Sequence, residues 1–202
     1  MKVVDLIKKY RKKIFSRLSK DKKSFDDYKF ILVEFKKGKI INNSEFQKVY
    51  KRFYVLNGGG LTAKFINRYF QLLDRKEKNF KKILSELSKI PRRKGDYSIQ
   101  LSFASKLIHT VDNNQPIYDS RVAKIFNIKP NYNIKDIGER INDRLAVYNL
   151  LKKEFNKVLA NQEIRNIILD FKQKLRVNIG DVKILDFILW KLGGIVIKKS
   201  KN

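Results

Sequence analysis

Residues 87–126 read LSKIPRRKGDYSIQLSFASKLIHTVDNNQPIYDSRVAKIF, and their spacing decides how the rest of the chain is read. An apolar helix closes at Ile90-Pro91, because the residue before a proline is pushed out of the α region. Residues 90–98 (IPRRKGDYS) then make a basic turn. Apolar residues return at helical spacing over about 99–110, with Phe103, Leu107 and Ile108 on one face. The loop VDNNQPIYD leads to a second short helix over about 120–126. Asp119 stands directly before Ser120-Arg121-Val122, where aspartate is among the best residues for capping a helix.

The same periodicity continues in both directions. Upstream, Val4, Ile7, Ile14, Phe15 and Leu18 share one helical face, and Tyr28, Ile31, Leu32 and Phe35 repeat it, with Gly38 as a stop. A third helix carries Phe46, Val49, Tyr50 and Phe53; Asn43 or Ser44 caps it, and it ends at Asn57-Gly58-Gly59-Gly60. Leu61, Phe65, Tyr69, Leu72 and Leu73 mark a fourth, and Phe80, Ile83, Leu84 and Leu87 a fifth. Downstream, Pro130 and NIKPNYN form a loop. Long helices follow through Val147, Leu150, Leu151, Phe155 and Val158, and through Ile164, Ile167, Ile168, Phe171 and Leu175. The last helix holds Val182, Leu185, Ile188, Leu189 and Leu192 and stops at Gly193-Gly194. Only residues 29–35 and 194–197 have any strand-like character. The expectation is an all-α chain forming a single domain over 1–202, with residues 1–40 a candidate N-terminal helical arm.

Charge narrows the partner. Lys+Arg 47 against Asp+Glu 20 leaves +27, and a body so charged attracts polyanions, of which DNA and RNA are the commonest. No apolar run approaches the roughly 18 residues that a membrane span needs. The opening MKVVDLIKKYRKKIF lacks the apolar stretch of a signal peptide, so the expected location is intracellular, cytoplasmic or nucleoid-associated. With no cysteine and one histidine, His109, no thiolate or histidine metal site and no cofactor is expected, and a carboxylate-held magnesium ion stays open. His109 itself reads as a helix C-terminal residue rather than a catalyst. A monomer is expected.

The segment 87–126 resembles the helix–hairpin–helix DNA glycosylase superfamily. The family's helix and following loop close on an aspartate that opens the next helix. Pro116-Ile117-Tyr118-Asp119-Ser120-Arg121-Val122-Ala123-Lys124-Ile125 is similar to that closing segment. Ser102-Phe103-Ala104-Ser105-Lys106-Leu107-Ile108 sits at the matching distance upstream, and residues 183–190 (KILDFILW) resemble the family's final helix. The match covers about 85–130. Two departures stand out. The hairpin with two glycines is replaced by Arg92-Arg93-Lys94-Gly95-Asp96-Tyr97, and Leu101 or Ser102 occupies the place of the Schiff-base lysine.

The resemblance implies a helix–hairpin–helix glycosylase-like fold and a monofunctional DNA glycosylase acting on a modified or mispaired base in double-stranded DNA. Asp119 would be its catalytic carboxylate, a role compatible with capping. Lys106, 13 residues before Asp119, is a candidate amine for a lyase step beside Lys94, or else a surface or phosphate-contacting lysine. Tyr118, Tyr97, Phe103 and Trp190 are candidates for lining a base pocket, with core packing the alternative for Phe103 and Trp190. Arg92, Arg93, Lys94, Arg121 and Lys124 are candidate DNA-phosphate contacts, with a solvated charge run as the alternative for residues 92–94. A noncatalytic DNA-binding domain of the same fold and a basic helical RNA-binding protein stay open beside the enzyme.

Overall fold

The structure is a computed structural model describing residues 3–199. Among these residues there is no strand: ten α-helices and one 3₁₀ turn follow each other along the chain. They gather into two compact units.

The first unit comprises residues 3–22, 113–130 and 147–199. Helix α1 (Val3–Ser19) buries Ile7, Ile14 and Leu18. That stripe lies against α9 (Gln162–Leu175) and α10 (Asp181–Lys199). Phe15 and Phe171 meet at 5.4 Å between ring centroids. Ion pairs from Lys8 to Glu163 (2.7 Å) and from Arg11 to Asp170 (2.9 Å) join α1 to α9. Such exposed pairs contribute little, so the apolar stripe carries the contact. Asn161 caps α9 by accepting from the Ile164 amide at 3.2 Å.

The short helix α7 (Ser120–Ile125) packs against α10. The crossing point is Gly193, where an added Cβ would lie 2.9 Å from both the Cβ and the carbonyl oxygen of Arg121. No side chain fits there. The Gly193-Gly194 pair was expected to end the last helix, yet α10 runs on to Lys199 and neither glycine has a positive φ. A mid-helix glycine costs about 0.5–1 kcal/mol relative to alanine, and here it permits the close approach of α7. The strand-like run 194–197 is therefore helical.

The second unit comprises residues 23–112 and 131–146. Its helices are α2 (Lys22–Lys37), α3 (Ser44–Phe53), α4 (Ala63–Asp74), α5 (Phe80–Ser88) and α6 (Leu101–Val111), with a 3₁₀ turn at Ile40–Asn42. The run 29–35 lies within α2, and Gly38 follows the helix in the left-handed region at φ 77. Asn43, Thr62 and Asn79 cap α3, α4 and α5 through side-chain oxygens, each worth about 1 kcal/mol. Phe46, Tyr50, Phe65, Tyr69 and Phe70 form an aromatic core, each no more than 2% exposed. Truncating such a phenylalanine to alanine costs about 3–5 kcal/mol.

Two boundaries differ from expectation. Helix α3 stops at Phe53 rather than at Asn57, because Val55 turns into the left-handed region at φ 56. Helix α8 (Ile137–Ala160) begins ten residues before Val147. The Asp136 carboxylate accepts from the Glu139 amide at 2.8 Å and starts it early. Its residues 137–146 count with the second unit and 147–160 with the first.

Candidate nucleic-acid interface

The loop before α7 is fixed in the first unit. Pro116, Ile117 and Tyr118 are buried, and the Tyr148 hydroxyl of α8 donates to the Pro116 carbonyl at 2.9 Å. The chain therefore reaches Asp119 in extended conformation (φ −122, ψ 143). One carboxylate oxygen of Asp119 accepts from the Arg121 amide at 2.8 Å, and its carbonyl accepts from the Ala123 amide at 2.8 Å. The side chain is half-exposed. Asp119 is thus a helix cap, held in one orientation by its first oxygen while the second has no protein partner among the described residues. A carboxylate so placed is preorganised to face a developing positive charge.

Two other candidates meet in the same unit. The Arg121 guanidinium lies over the Trp190 ring, 4.4 Å from its centroid, and Lys191 lies 4.9 Å from the same ring. Trp190 is 36% exposed and so is not a core residue. Tyr118 is buried at 9% exposure, and Lys124 is exposed on α7. Residues 183–190 also hold an ion pair that the resemblance does not imply. Lys183 and Asp186 join at 2.8 Å, at 3% and 7% exposure. Their spacing of three on an otherwise apolar helix face was the available signal. Removing one partner of such a pair costs about 3–5 kcal/mol, because the other is left as an uncompensated buried charge.

The remaining candidates belong to the second unit. The turn after Pro91 closes through Arg92 N to Asp96 O and Gly95 N to Arg92 O, both at 2.9 Å, with Gly95 at φ 83. The Arg92 guanidinium donates from Nε to the Asp96 carboxylate at 2.9 Å. That hydrogen bond and charge hold the Asp96 carboxyl below its ordinary value. Arg93 is pinned from its amide to Gly60 O (2.8 Å) and from Nε to Leu61 O (3.1 Å). Lys94 and Tyr97 are exposed. Beside this turn, a cavity of about 540 Å³ is lined by Lys51, Asn57, Asn67, Phe70 and Arg93 among others.

On α6, Phe103 is buried 6.2 Å from the Phe65 ring centroid. The Lys106 ammonium donates to the Tyr54 carbonyl at 2.9 Å and lies 4.8 Å from the Phe103 centroid. Lys106 is half-buried. His109 is fully buried in the last turn of α6, its Nε2 2.9 Å from the Tyr28 hydroxyl. Tyr118, Asp119, Arg121, Lys124 and Trp190 thus fall in the first unit, and Arg92, Arg93, Lys94, Tyr97, Phe103 and Lys106 in the second. Among the described residues no helix is long and apolar enough to cross a membrane. Comparison with protein-family models, with curated proteins and with solved structures finds no match.

Proposed function

We propose that the chain binds double-stranded DNA and hydrolyses the N-glycosidic bond of a modified or mispaired base, as a monofunctional glycosylase. The observation that carries this reading is Asp119: a carboxylate with one oxygen fixed by the α7 amide, the other unpartnered, and a clamped loop behind it. As the C1′–N bond breaks, its electron pair leaves with the base and positive charge develops on the sugar. Asp119 stabilises that charge and orients a water. The water oxygen bonds to C1′, and its proton ends on the departing base. The target base must first leave the duplex stack. The commitment of the Lys106 ammonium to Tyr54 and Phe103 supports hydrolysis over a lyase route.

The test is single-turnover base release from duplexes carrying a panel of lesions. Asp119→Asn should lower release by about 10²- to 10³-fold, the usual cost of one preorganised electrostatic group. An amide caps nearly as well, so stability should change by no more than about 1 kcal/mol. A wild type that releases no base, or a variant that matches it, overturns the enzyme reading.

A second reading, a noncatalytic DNA-binding domain, is favoured by the turn at residues 92–96. The family's hairpin offers glycine amides to a phosphate, whereas here the Arg92 charge is taken up by Asp96. Salt-dependent duplex binding without base release identifies this reading. Preference for structured RNA over duplex in competition identifies an RNA-binding protein instead.

A further inference from the structure

In the first unit, two arginines from distant parts of the sequence converge on one glycine. Arg17 stands in the last turn of α1 and Arg121 at the start of α7, and both helices lie against α10. A Cβ placed on Gly194 would lie 3.7 Å from Arg17 Nη1 and 3.9 Å from Arg121 Nη1. The two nitrogens are therefore at most 7.6 Å apart. Two guanidinium groups facing the same helix position repel each other, and an anion bound between them turns that repulsion into attraction.

Among the described residues no carboxylate is paired with either group, whereas their neighbours do have such partners. Arg11 pairs with Asp170, Lys8 with Glu163, and Lys191 takes Asp21 at 2.5 Å. Arg121 is held instead by the Trp190 ring, which leaves its N–H edge unspent. Gly194 contributes no side chain to fill the space, although a Cβ there would meet only ordinary van der Waals contacts. A tetrahedral oxyanion accepting from both groups would be held on two sides by charge-assisted hydrogen bonds of about 2.7–2.9 Å. Paired, planar arginine forks are suited to phosphate.

We infer that Arg17 and Arg121 form a phosphate-binding subsite across Gly194, taking a single phosphate group of a nucleic-acid backbone, with Trp190 as the residue that positions Arg121. The source of the phosphate rests on the nucleic-acid reading above; the subsite itself does not depend on catalysis by Asp119.

Two arms separate the subsite from that reading. In the first, inorganic phosphate is titrated into the full chain labelled with ¹⁵N-arginine. The Nε–H signals of Arg17 and Arg121 should move on one shared saturation curve, and Arg17→Gln should abolish the movement at Arg121. Arg17→Lys, which keeps the charge but not the fork, should weaken it and covers the case of an unstable Gln variant. Signals that stay still, or that follow two different curves, overturn the subsite.

In the second arm, a short duplex is bound over a range of salt. Arg17→Gln and Arg121→Gln should each flatten the slope of log K against log salt by about 0.9, the value for one phosphate, and the double variant should flatten it no further. A double variant that loses about twice that amount means two separate phosphates and overturns the shared subsite. Wild-type duplex binding untouched by all three variants leaves the nucleic-acid reading standing and removes the subsite. Phosphate shifts on the shared curve without duplex binding keep the subsite, for a free phosphate group, and remove the nucleic-acid reading.

Discussion

At the scale of single residues, side chains that look equally reactive in the sequence occupy very different surroundings. Lysine is one residue in six, so no lysine stands out by type. Lys106 is distinguished by what holds it, a backbone carbonyl at 2.9 Å and an aromatic face. A Schiff base requires an approachable amine, and both contacts occupy this one. Borohydride should therefore fail to trap the protein on substrate DNA; efficient trapping that disappears in Lys106→Gln reverses this assignment. The hydroxyl cluster near it gives a pH prediction. Tyr50 and Tyr69 meet at 2.9 Å and are fully buried, and burial raises both phenols well above their ordinary value of 10.0. Their neutral forms are retained by the fold, so this contribution to stability is complete below pH 10.0 and is lost as alkali ionises the unfolded chain. At least two of the nine tyrosines, Tyr50 and Tyr69, should give no phenolate absorbance in alkaline titration until the protein unfolds. Ionisation of all nine with folded-state circular dichroism intact removes that picture. Asp119 as a cap was legible because capping is local. The meeting of Arg17 with Arg121 was not, since only packing on α10 brings them together.

At the scale of elements, helix starts were readable where a capping side chain precedes an apolar run, as at Asn43 before Phe46. Starts and ends set by tertiary contact were not. The opening of α8 mixes Glu139, Arg140, Asp143 and Arg144 among its apolar residues, which hides the periodicity. Arg144 is itself buried, donating to Asn131 O at 3.0 Å, so a core position carries a charge. Gly193-Gly194 reads as a stop because glycine often follows helices in the left-handed region. Only the approach of α7 explains why the helix continues. This makes the two glycines unequal. Gly193→Ala should destabilise by about 1–3 kcal/mol, since its Cβ meets Arg121 backbone that cannot swing away. Gly194→Ala should be neutral or stabilise by up to about 1 kcal/mol, because helix propensity improves and its contacts are ordinary. Denaturant unfolding decides; equal effects at the two positions refute the crossing at Gly193.

At the scale of the whole molecule, the decisive quantity is net charge, and the structure explains why it is expressed at the surface. Many acidic side chains are occupied in ion pairs, among them Asp27, Glu86, Asp96, Glu163 and Asp170. Each such pair cancels one lysine or arginine, and the basic excess of +27 stays on the remaining cations. Binding to a polyanion then releases condensed counterions, and their number is read directly from the salt dependence. For duplex DNA the slope of log K against log salt should be about −0.9 per phosphate contacted. If about 6–10 phosphates are engaged, affinity falls by about 10³- to 10⁵-fold between 50 and 200 mM salt. A single-stranded ligand gives about −0.7 per phosphate, so parallel titrations with duplex and single strand of equal length separate the two modes. The same titration in Asp119→Asn should keep the wild-type slope, because that substitution adds no phosphate contact. An affinity for duplex that stays constant from low to physiological salt would mean that the charge serves another end, and the nucleic-acid reading would fall with it.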